Sequence, residues 1–446
     1  MLYDKARDKG RKFALWALNA LVISTVVTVV GAIIFLKWFQ DPLTTLTIPV
    51  FITGQDNQGG QFALGVSRAV NWAERFKLDE VDGRRVRPLF LNEDSIECTK
   101  DEIDCNEENN KEVLLNSIRT IRGNVPVVVG PLTSTHAAML VPAIAKDMKI
   151  PMVLGIPTNS RLSSDFVGRV WRLSPTDDFQ AETVSKTLVT LARGGDTSMI
   201  VADFSGDNIK YSEFLSRAIA LKADQSEMLS KPRTFQLTGA NHGEFEQKLA
   251  ELKPRIIVYV GMPEQAKQIL KTMRNSQEDV TFLFTDGCID LEFIDLVKDY
   301  AAARPKSRFF MTFQAPPPSL SKGIRSYIWF TQSMGGHVTG VVDRDCGAKS
   351  AATSYEVFGF DSYLIALNLL REAMANGKAN GEGIEAVMGS NRSPRWPFLL
   401  MSPYQFDQTG NNTGLRFHVY EIKGDGCPFH SGGENGGDHV CPSDPV

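Results

Sequence analysis

Strand-like and helix-like patterns alternate along most of this chain, and that alternation constrains the fold more than any other feature. Short apolar runs such as VPVVVG, 125–130, are separated by amphipathic stretches such as QFALGVSRAVNWAERF, 61–76, whose apolar residues fall on one helical face. Strands that alternate with helices pair in parallel, because each crossover must return the chain to the same edge of the sheet. The sequence therefore predicts an α/β fold.

The alternation occurs in two series, and 446 residues are more than one ordinary core accommodates, so two α/β units are expected. The first series has predicted strands at 46–52, 86–91, 125–130 and 150–155, with helices at 61–76, about 110–122 and 134–148. The second has strands at 198–203, 234–237, 255–261, 280–285 and 308–313, with helices at 178–192, 211–221, 244–252 and 264–274. The remaining predictions are a helix over 352–376, a hairpin over 406–422 that turns at 411–414, and an irregular last twenty residues.

The segment 13–36 predicts a transmembrane anchor helix, because it carries no charged residue over 24 positions. As a helix it is about 36 Å long and exceeds the roughly 30 Å hydrocarbon core of a bilayer. Five basic residues precede it and only Lys37 follows it closely, so residues 1–12 are predicted to be cytoplasmic and the globular part periplasmic or extracellular. A cleaved signal peptide is the alternative, although its apolar region usually spans only about 7 to 15 residues.

The cysteines agree with an oxidising compartment. All six lie beyond the membrane segment, and they predict up to three disulfides among 15 possible connectivities. Cys98 with Cys105, and Cys427 with Cys441, would close short local loops; the other two are Cys288 and Cys346. Zinc is the rival use of these sulfurs, but no CxxC occurs and the six histidines are scattered, so no metal site is predicted.

Charge and motifs argue against several classes of function. A net charge of −4, with no Lys/Arg block beyond the first dozen residues, argues against nucleic-acid binding. No GxxxxGK[ST] loop occurs and no GxGxxG follows a strand, so no cofactor is predicted. The chain also lacks GxSxG, HExxH and a Cys-His pair at nucleophile-like spacing, so it is predicted not to be an enzyme.

The stretch VVVGPLTST, 127–135, is the first candidate for a binding site. A buried strand that ends in Gly-Pro and opens into a helix presents backbone N–H groups and the positive end of the helix dipole, where a small anion can bind. The hydroxyls of Thr133, Ser134 and Thr135 can donate to a carboxylate there. Helix capping alone is the simpler interpretation of the same hydroxyls.

Three further polar residues lie at the ends of predicted elements. Thr158 follows a strand of the first unit, Asp177 begins a helix of the second unit, and Asp286 follows a strand of the second unit. Taken singly, each has a structural interpretation as a turn or cap residue. Together they place hydroxyls on one unit and carboxylates on the other. A cleft with that arrangement suits a zwitterion, with its carboxylate near Ser134 and its ammonium near the aspartates.

The order of these motifs resembles a known family. GPLTSTHAAMLVPAIAKDMKIPMVLGIPTNSRLS at 130–163, followed by RVWRLSPTDDFQAETV at 169–184, is similar to type I periplasmic binding proteins. These include the leucine/isoleucine/valine-binding proteins of ABC importers and the related ligand-binding domains of metabotropic glutamate receptors. The resemblance covers about 45–423, including the TDG turn and the FDQTG segment. It implies two Rossmann-like parallel-sheet lobes joined by a three-stranded hinge.

The resemblance also implies roles for particular residues. In amino-acid-binding members, the positions that match Ser134 and Thr158 contact the ligand carboxylate, and Thr135 adjoins them. The positions that match Asp177 and Asp286 contact the ammonium. These five residues are therefore the predicted ligand-binding set.

One position departs from the family pattern. Family members often stack an aromatic ring on the ligand from the turn after the strand at 198–203. This chain has SGDNIK in that turn and no tyrosine until Tyr211. The pocket for the ligand side chain is therefore expected to differ from that of its relatives.

A chain of this family crosses between its lobes three times, and the crossings are expected near Val167, Gln314 and Met401. The resulting division is lobe 1 at 45–166 with 319–400, lobe 2 at 170–318 with 401–425, and a Gly-rich tail at 426–446.

These features predict a membrane-anchored extracytoplasmic solute-binding protein that captures an amino acid or similar small polar ligand by hinge closure for an ABC importer. One alternative is a receptor subunit that signals through a membrane partner. Another is a degenerate binding fold used as an interaction module. An enzyme on the same fold is the last, and the missing motifs argue against it. A transporter component would work with a permease, whereas a receptor would work with a kinase or a related partner.

Overall fold

A computed structural model describes most of the chain from residue 45 onward. The described ranges are 45–53, 57–96, 107–121, 125–192, 197–205, 209–225, 232–274, 279–315, 323, 326–327, 354–401, 403–423 and 428–430. The predicted anchor at 13–36 lies outside them, and so do all of the cysteines except Cys288. Within these ranges, no helix combines the length and apolar character needed to cross a membrane.

The first sheet has six strands in the order β2-β3-β1-β4-β5-β6. Every neighbouring pair is parallel except the short β2–β3 pair. The strands are β1 (Thr45–Ile52), β2 (Glu80–Val81), β3 (Arg84–Asn92), β4 (Val128–Val129), β5 (Met152–Leu154) and β6 (Val170–Arg172). The helices between them are α1 (Asn57–Arg75), α2 (Glu107–Thr120), α3 (Ser134–Val141) and α4 (Arg161–Ser164).

The turn from β4 into α3 depends on a glycine. Gly130 has φ +89°, and a Cβ at that position would lie 2.9 Å from the Cβ of Phe51, so other residues are excluded by both strain and space. The following Gly130–Pro131 peptide is cis. After α3, the chain continues as a π-helical segment, Pro142–Asp147.

The second sheet has seven strands in the order β13-β12-β11-β10-β9-β7-β8, of which β7 to β11 are mutually parallel and β12 and β13 are antiparallel additions. The strands are β7 (Ser198–Asp203), β8 (Arg233–Leu237), β9 (Ile256–Val260), β10 (Thr281–Phe284), β11 (Arg308–Phe313), β12 (His418–Ile422) and β13 (Pro428–His430). The helices are α5 (Asp177–Leu191), α6 (Ile209–Asp224), α7 (His242–Leu252), α8 (Pro263–Arg274) and α9 (Leu291–Ala303).

Two later helices, α10 (Ser354–Ala375) and α11 (Gly381–Ser390), return to the first sheet. Helix α10 packs mainly against α1, and glycines let the backbones approach closely: a Cβ on Gly65 would lie 2.0 Å from the carbonyl oxygen of Glu356. Strand β1 alternates between the two faces, since Ile48 joins the core under α1 and α10, whereas Phe51 joins the core under α2 and α3. We call this unit the first lobe and the unit built on the second sheet the second lobe.

The predicted α/β fold is confirmed, with two corrections to its last part. The hairpin over 406–422 does not form. The turn lies at Asp407–Gly410, where Asp407 accepts hydrogen bonds from the following loop, and β12 pairs with β11 instead. The last twenty residues also contain β13, which pairs with β12. The sequence did not predict β2, β6, α9 or α11.

Candidate functional site

A cleft lies between the lobes, at the carboxyl ends of the parallel strands of both sheets. It encloses about 470 Å³, a figure that includes solvent at its opening. The first lobe lines it with loops before α3 and after β5, and the second lobe lines it with the start of α6 and the ends of β10 and β11. The polar lining residues are Thr133, Ser134, Thr158, Tyr211, Asp286, Gln314 and Tyr355.

The structure brings three of the five predicted ligand-binding residues to the cleft surface. Ser134 and Thr158 line it from the first lobe, and Asp286 lines it from the second. Asp177 is completely buried behind Thr158, and its backbone N–H donates to the carbonyl oxygen of Thr158 at 2.8 Å. Thr135 lies one residue further along α3 and is not among the lining residues.

Asp286 is held in place by both lobes. The Tyr211 hydroxyl donates to its Oδ1 at 2.6 Å, and the Gln314 amide donates to its Oδ2. Across the cleft, the Tyr355 hydroxyl donates to the Asp286 backbone carbonyl at 3.2 Å. Burial raises the pKa of the Asp286 carboxyl, although the hydrogen bonds from Tyr211 and Gln314 oppose that rise. The carboxylate is therefore positioned before any ligand arrives.

Asp177 has no comparable support. Neither of its carboxylate oxygens has a hydrogen-bond partner of normal geometry among the described residues. Burial raises its pKa to about 8, and the charge of Asp286 adds to that rise, while the Thr158 hydroxyl and the charge of Arg172 oppose it. A buried carboxylate that lacks donors is costly to ionise. At neutral pH, Asp177 is mainly protonated in the absence of a cation.

The loop before α3 already binds a carboxylate, and this carboxylate is internal. Glu93 follows β3, is fully buried, and accepts the backbone N–H groups of Leu132 at 3.0 Å and Thr133 at 3.1 Å. The His136 ring contacts it at 3.1 Å. The Thr133 hydroxyl caps α3 by accepting the His136 N–H. The expectation that these two N–H groups await a ligand anion is wrong, and the Ser134 and Thr158 hydroxyls are what the cleft offers an anion.

Tyr211 and Tyr355 supply the aromatic surface that the turn after β7 lacks. Tyr211 is the third residue of α6, and its ring faces the cleft while its hydroxyl holds Asp286. Tyr355 comes from α10 of the first lobe. The sequence contains a signal for Tyr211, which is the first tyrosine after the expected position. It contains no such signal for Tyr355, which follows a long stretch without recognisable pattern.

The three residues predicted at the hinge have different environments. Val167 is exposed in the turn before β6. Gln314 is buried after β11 and serves the cleft through its bond to Asp286. The backbone N–H of Met401 donates to Asp361 of α10 at 2.9 Å, next to the Leu400 N–H at 2.8 Å. Burial raises the pKa of Asp361 to about 7, although these bonds oppose the rise.

A buried arginine ties the segment after Tyr404 to the first sheet. Arg172 of β6 donates to the carbonyl oxygens of Asn159 and Ser160 and to the side chain of Asn411. Burial lowers its pKa to about 10, while the charges of Asp177 and Asp407 raise it. The arginine stays charged at neutral pH and holds the crossing segments together.

The described residues include one cysteine, and it carries a free thiol. Cys288 is buried after β10, and its Sγ contacts the Gly261 carbonyl at 3.3 Å. A set of three disulfides that includes Cys288 is therefore not formed. The predicted pairs Cys98–Cys105 and Cys427–Cys441 lie outside the described residues and stay predictions. Within the described ranges, no cluster of His, Cys, Asp and Glu could hold a metal ion.

Comparison with known proteins supports the same architecture. No protein-family model matches the chain, and no curated protein sequence matches it. Among solved structures, a leucine-binding protein from Thermotoga maritima is similar with a TM-score of 0.66 at 17% identity, covering 87% of this chain and 98% of that one. A branched-chain amino acid transporter substrate-binding protein from Streptococcus pneumoniae, in complex with isoleucine, gives 0.61 at 15% identity over 85% and 96%.

A third solved structure widens the range of ligands on this architecture. It is a fatty acid ABC transporter substrate-binding protein from Thermomonospora curvata, with a TM-score of 0.62 at 14% identity over 90% of this chain and 95% of that one. These similarities show that the chain has the two-lobed type I periplasmic-binding-protein fold. The particular proteins named are substrate-binding proteins rather than enzymes. Because their ligands range from amino acids to fatty acids, the fold alone does not define the ligand.

Proposed function

We propose that this protein is an extracytoplasmic solute-binding protein, anchored by the segment 13–36, that captures an amino acid or a related small ammonium compound for an ABC importer. Its ligand would bind between the lobes and hold them closed by contacting both. Binding without chemistry suits the cleft, where the polar groups are hydroxyls, an amide and carboxylates. The ABC importer is suggested by the transport proteins that share the fold.

The observation that carries the proposal is the opposition of hydroxyls and carboxylates across the cleft. Ser134 and Thr158 face it from the first lobe, while Asp286 faces it from the second and Asp177 lies directly behind Thr158. A ligand ammonium near the two aspartates would supply the positive charge that Asp177 lacks. A ligand carboxylate would take the hydroxyl donors. The remaining wall is apolar and includes Ile156 and Met262, which suits an aliphatic portion.

The first experiment is a thermal-shift screen of the fragment 45–446, after removal of any co-purified ligand. The panel contains amino acids, short peptides, amides and carboxylates. A ligand that binds only the folded state raises the melting temperature by mass action. We expect a saturable rise with one class of ammonium compounds. No rise across the panel would contradict the proposal.

Substitution of Asp286 then tests the site itself. Asp286→Ala removes the carboxylate, and Asp286→Asn keeps its size while removing its charge. We expect both to lose binding of the compound found in the screen, by about 2–5 kcal/mol if the contact is a desolvated charge pair. Titration calorimetry measures the loss, and circular dichroism checks the fold. Unchanged affinity in a folded Asp286→Asn protein would refute an ammonium contact at this residue.

A further inference from the structure

An aromatic patch lies on the outside of the first lobe, away from the cleft. Phe76 and Phe398 are 44% and 43% exposed, and their rings stack with centroids 5.3 Å apart. The half-buried Trp72 supports both, at 4.8 Å from Phe76 and 5.3 Å from Phe398. Phe398 also has φ +71°, which is rare for a bulky residue. We call these three residues the aromatic patch.

Three cations are close to this patch in the sequence. Lys77 follows Phe76 directly, and Arg392 and Arg395 precede Phe398; all three are exposed. The nearest acidic side chain along α1, Glu74, is already paired with Arg87. Exposed aromatic rings with flanking cations are typical of surfaces that contact the polar region of a bilayer.

The strand register places the patch at one end of the strands in the first sheet. Thr45, the first residue of β1, pairs with Arg85, and Thr47 pairs with Arg87. Arg87 in turn contacts Glu74, two residues before Phe76. The patch is therefore level with the amino end of β1, which is the end of the strand opposite the cleft.

The amino end of β1 is also where the chain arrives from the predicted anchor. Eight residues, 37–44, separate the end of the predicted membrane segment from Thr45. They span at most about 26–29 Å even when fully extended. With the predicted anchor in the membrane, the amino end of β1, and the patch level with it, stay within about that distance of the bilayer surface.

We propose that the aromatic patch and its three cations form a membrane-contact surface, which seats the first lobe on the bilayer with the cleft facing away. The proposal rests on the membrane anchoring in the proposed function, but not on the ligand. Aromatic rings at the interface and cations near anionic headgroups each favour such contact. Because the bilayer then holds the first lobe in place, the second lobe is the part that moves on closure.

Radical footprinting of the full chain tests this surface. The protein is inserted into bilayer discs of phosphatidylcholine with phosphatidylglycerol, and side-chain oxidation is compared with the same protein in detergent. We expect the oxidation rates of Phe76 and Phe398 to fall several-fold in the bilayer. Phe90 is the internal control, because it is 39% exposed on the same lobe but pairs with Val50, nearer the cleft edge. Its rate should not change.

A charge variant sharpens the test. Lys77→Ser/Arg392→Ser/Arg395→Ser should reduce the protection of both phenylalanines, and phosphatidylcholine alone should do the same in the unaltered protein. Equal oxidation in bilayer and detergent would overturn the proposal, as would failure of the full chain to remain with the discs. Protection that requires an added membrane protein would also overturn it and identify a protein contact. Ligand-induced melting shifts on the same samples report the cleft separately.

Discussion

Glu93 and Asp177 are both completely buried carboxylates near the amino end of a helix, α3 in the first lobe for Glu93 and α5 in the second lobe for Asp177. Glu93 accepts two backbone N–H groups and contacts the His136 ring. Asp177 has no hydrogen-bond donor of normal geometry among the described residues. The two residues thus share position and burial but differ in whether the fold stabilises their charge.

This difference separates a structural carboxylate from a functional one. Glu93 stabilises the loop before α3 because each of its contacts is made within the protein. Asp177 costs free energy when ionised, and a bound cation would remove that cost. Removal of the carboxylate should therefore destabilise the protein at Glu93. At Asp177 it should stabilise the ligand-free protein and weaken ligand binding.

The largest effect is expected at Glu93. Glu93→Ala leaves the buried N–H of Leu132 and the half-buried N–H of Thr133 without this acceptor, and should lower the free energy of unfolding by about 3–5 kcal/mol. Denaturant unfolding measures it. The control is Glu74→Ala, which breaks an exposed ion pair and should cost under about 1 kcal/mol. Equal midpoints for the two variants would show that the Glu93 contacts contribute little.

At Asp177 the expected effect has the opposite sign and depends on pH. The native state keeps the proton up to about pH 8, whereas the pKa of an unperturbed Asp is 3.8, so this residue's contribution to stability is present at low pH and lost as pH rises toward 8. Asp177→Asn should therefore become progressively more stable than the unaltered, ligand-free protein between pH 5 and 8, by on the order of a few kcal/mol. Melting curves across that range are the measurement. A difference in melting temperature between the two proteins that stays constant across this pH range would contradict the prediction.

Binding should depend on the same proton. An ammonium ligand requires ionised Asp177, so its affinity should rise with pH by up to about tenfold per unit below the pKa of about 8. Calorimetry in buffers of different ionisation enthalpy should detect proton release on binding. Asp177→Asn should bind more weakly and lose this pH dependence. A flat profile in the unaltered protein would mean that the ligand does not interact with Asp177.

The smallest effect is expected at Tyr355, whose hydroxyl links the lobes. Tyr355→Phe removes its hydrogen bond to the Asp286 carbonyl and should weaken ligand binding by about 0.5–1.5 kcal/mol, since the closed form loses one contact. Tyr363→Phe, on the same helix, is the matched control. An identical change in both variants would assign the loss to α10 itself rather than to the link across the cleft.

Much of the fold is predictable because its strands are continuous apolar runs. SMIVAD and RIIVYVG, which become β7 and β9, are buried on both faces and need no tertiary information to recognise. The short β2 and β6 exist only through pairing with β3 and β5. The hairpin prediction failed because Asn412 is not a turn residue: it is buried and donates to the Leu173 carbonyl.

The site was less predictable, and the reason is its hydrogen bonding. Ser134, Thr158 and Asp286 reach the cleft because they lie at the carboxyl edges of parallel strands, which a sequence pattern reveals. Glu93 accepts hydrogen bonds from the loop before α3 although it lies 39 residues earlier in the chain than Leu132, so no local pattern predicts this contact. The missing donors of Asp177 are likewise a property of the packed structure.

One contact between the lobes has a practical consequence. The guanidinium of Arg161, on α4 of the first lobe, lies 5.8 Å from the ring of Phe214, on α6 of the second lobe. A fluorescent donor and acceptor attached at these two positions would separate when the lobes part and approach when they close. The protein could thus serve as a ratiometric sensor that reports the concentration of its own ligand as a change in emitted colour.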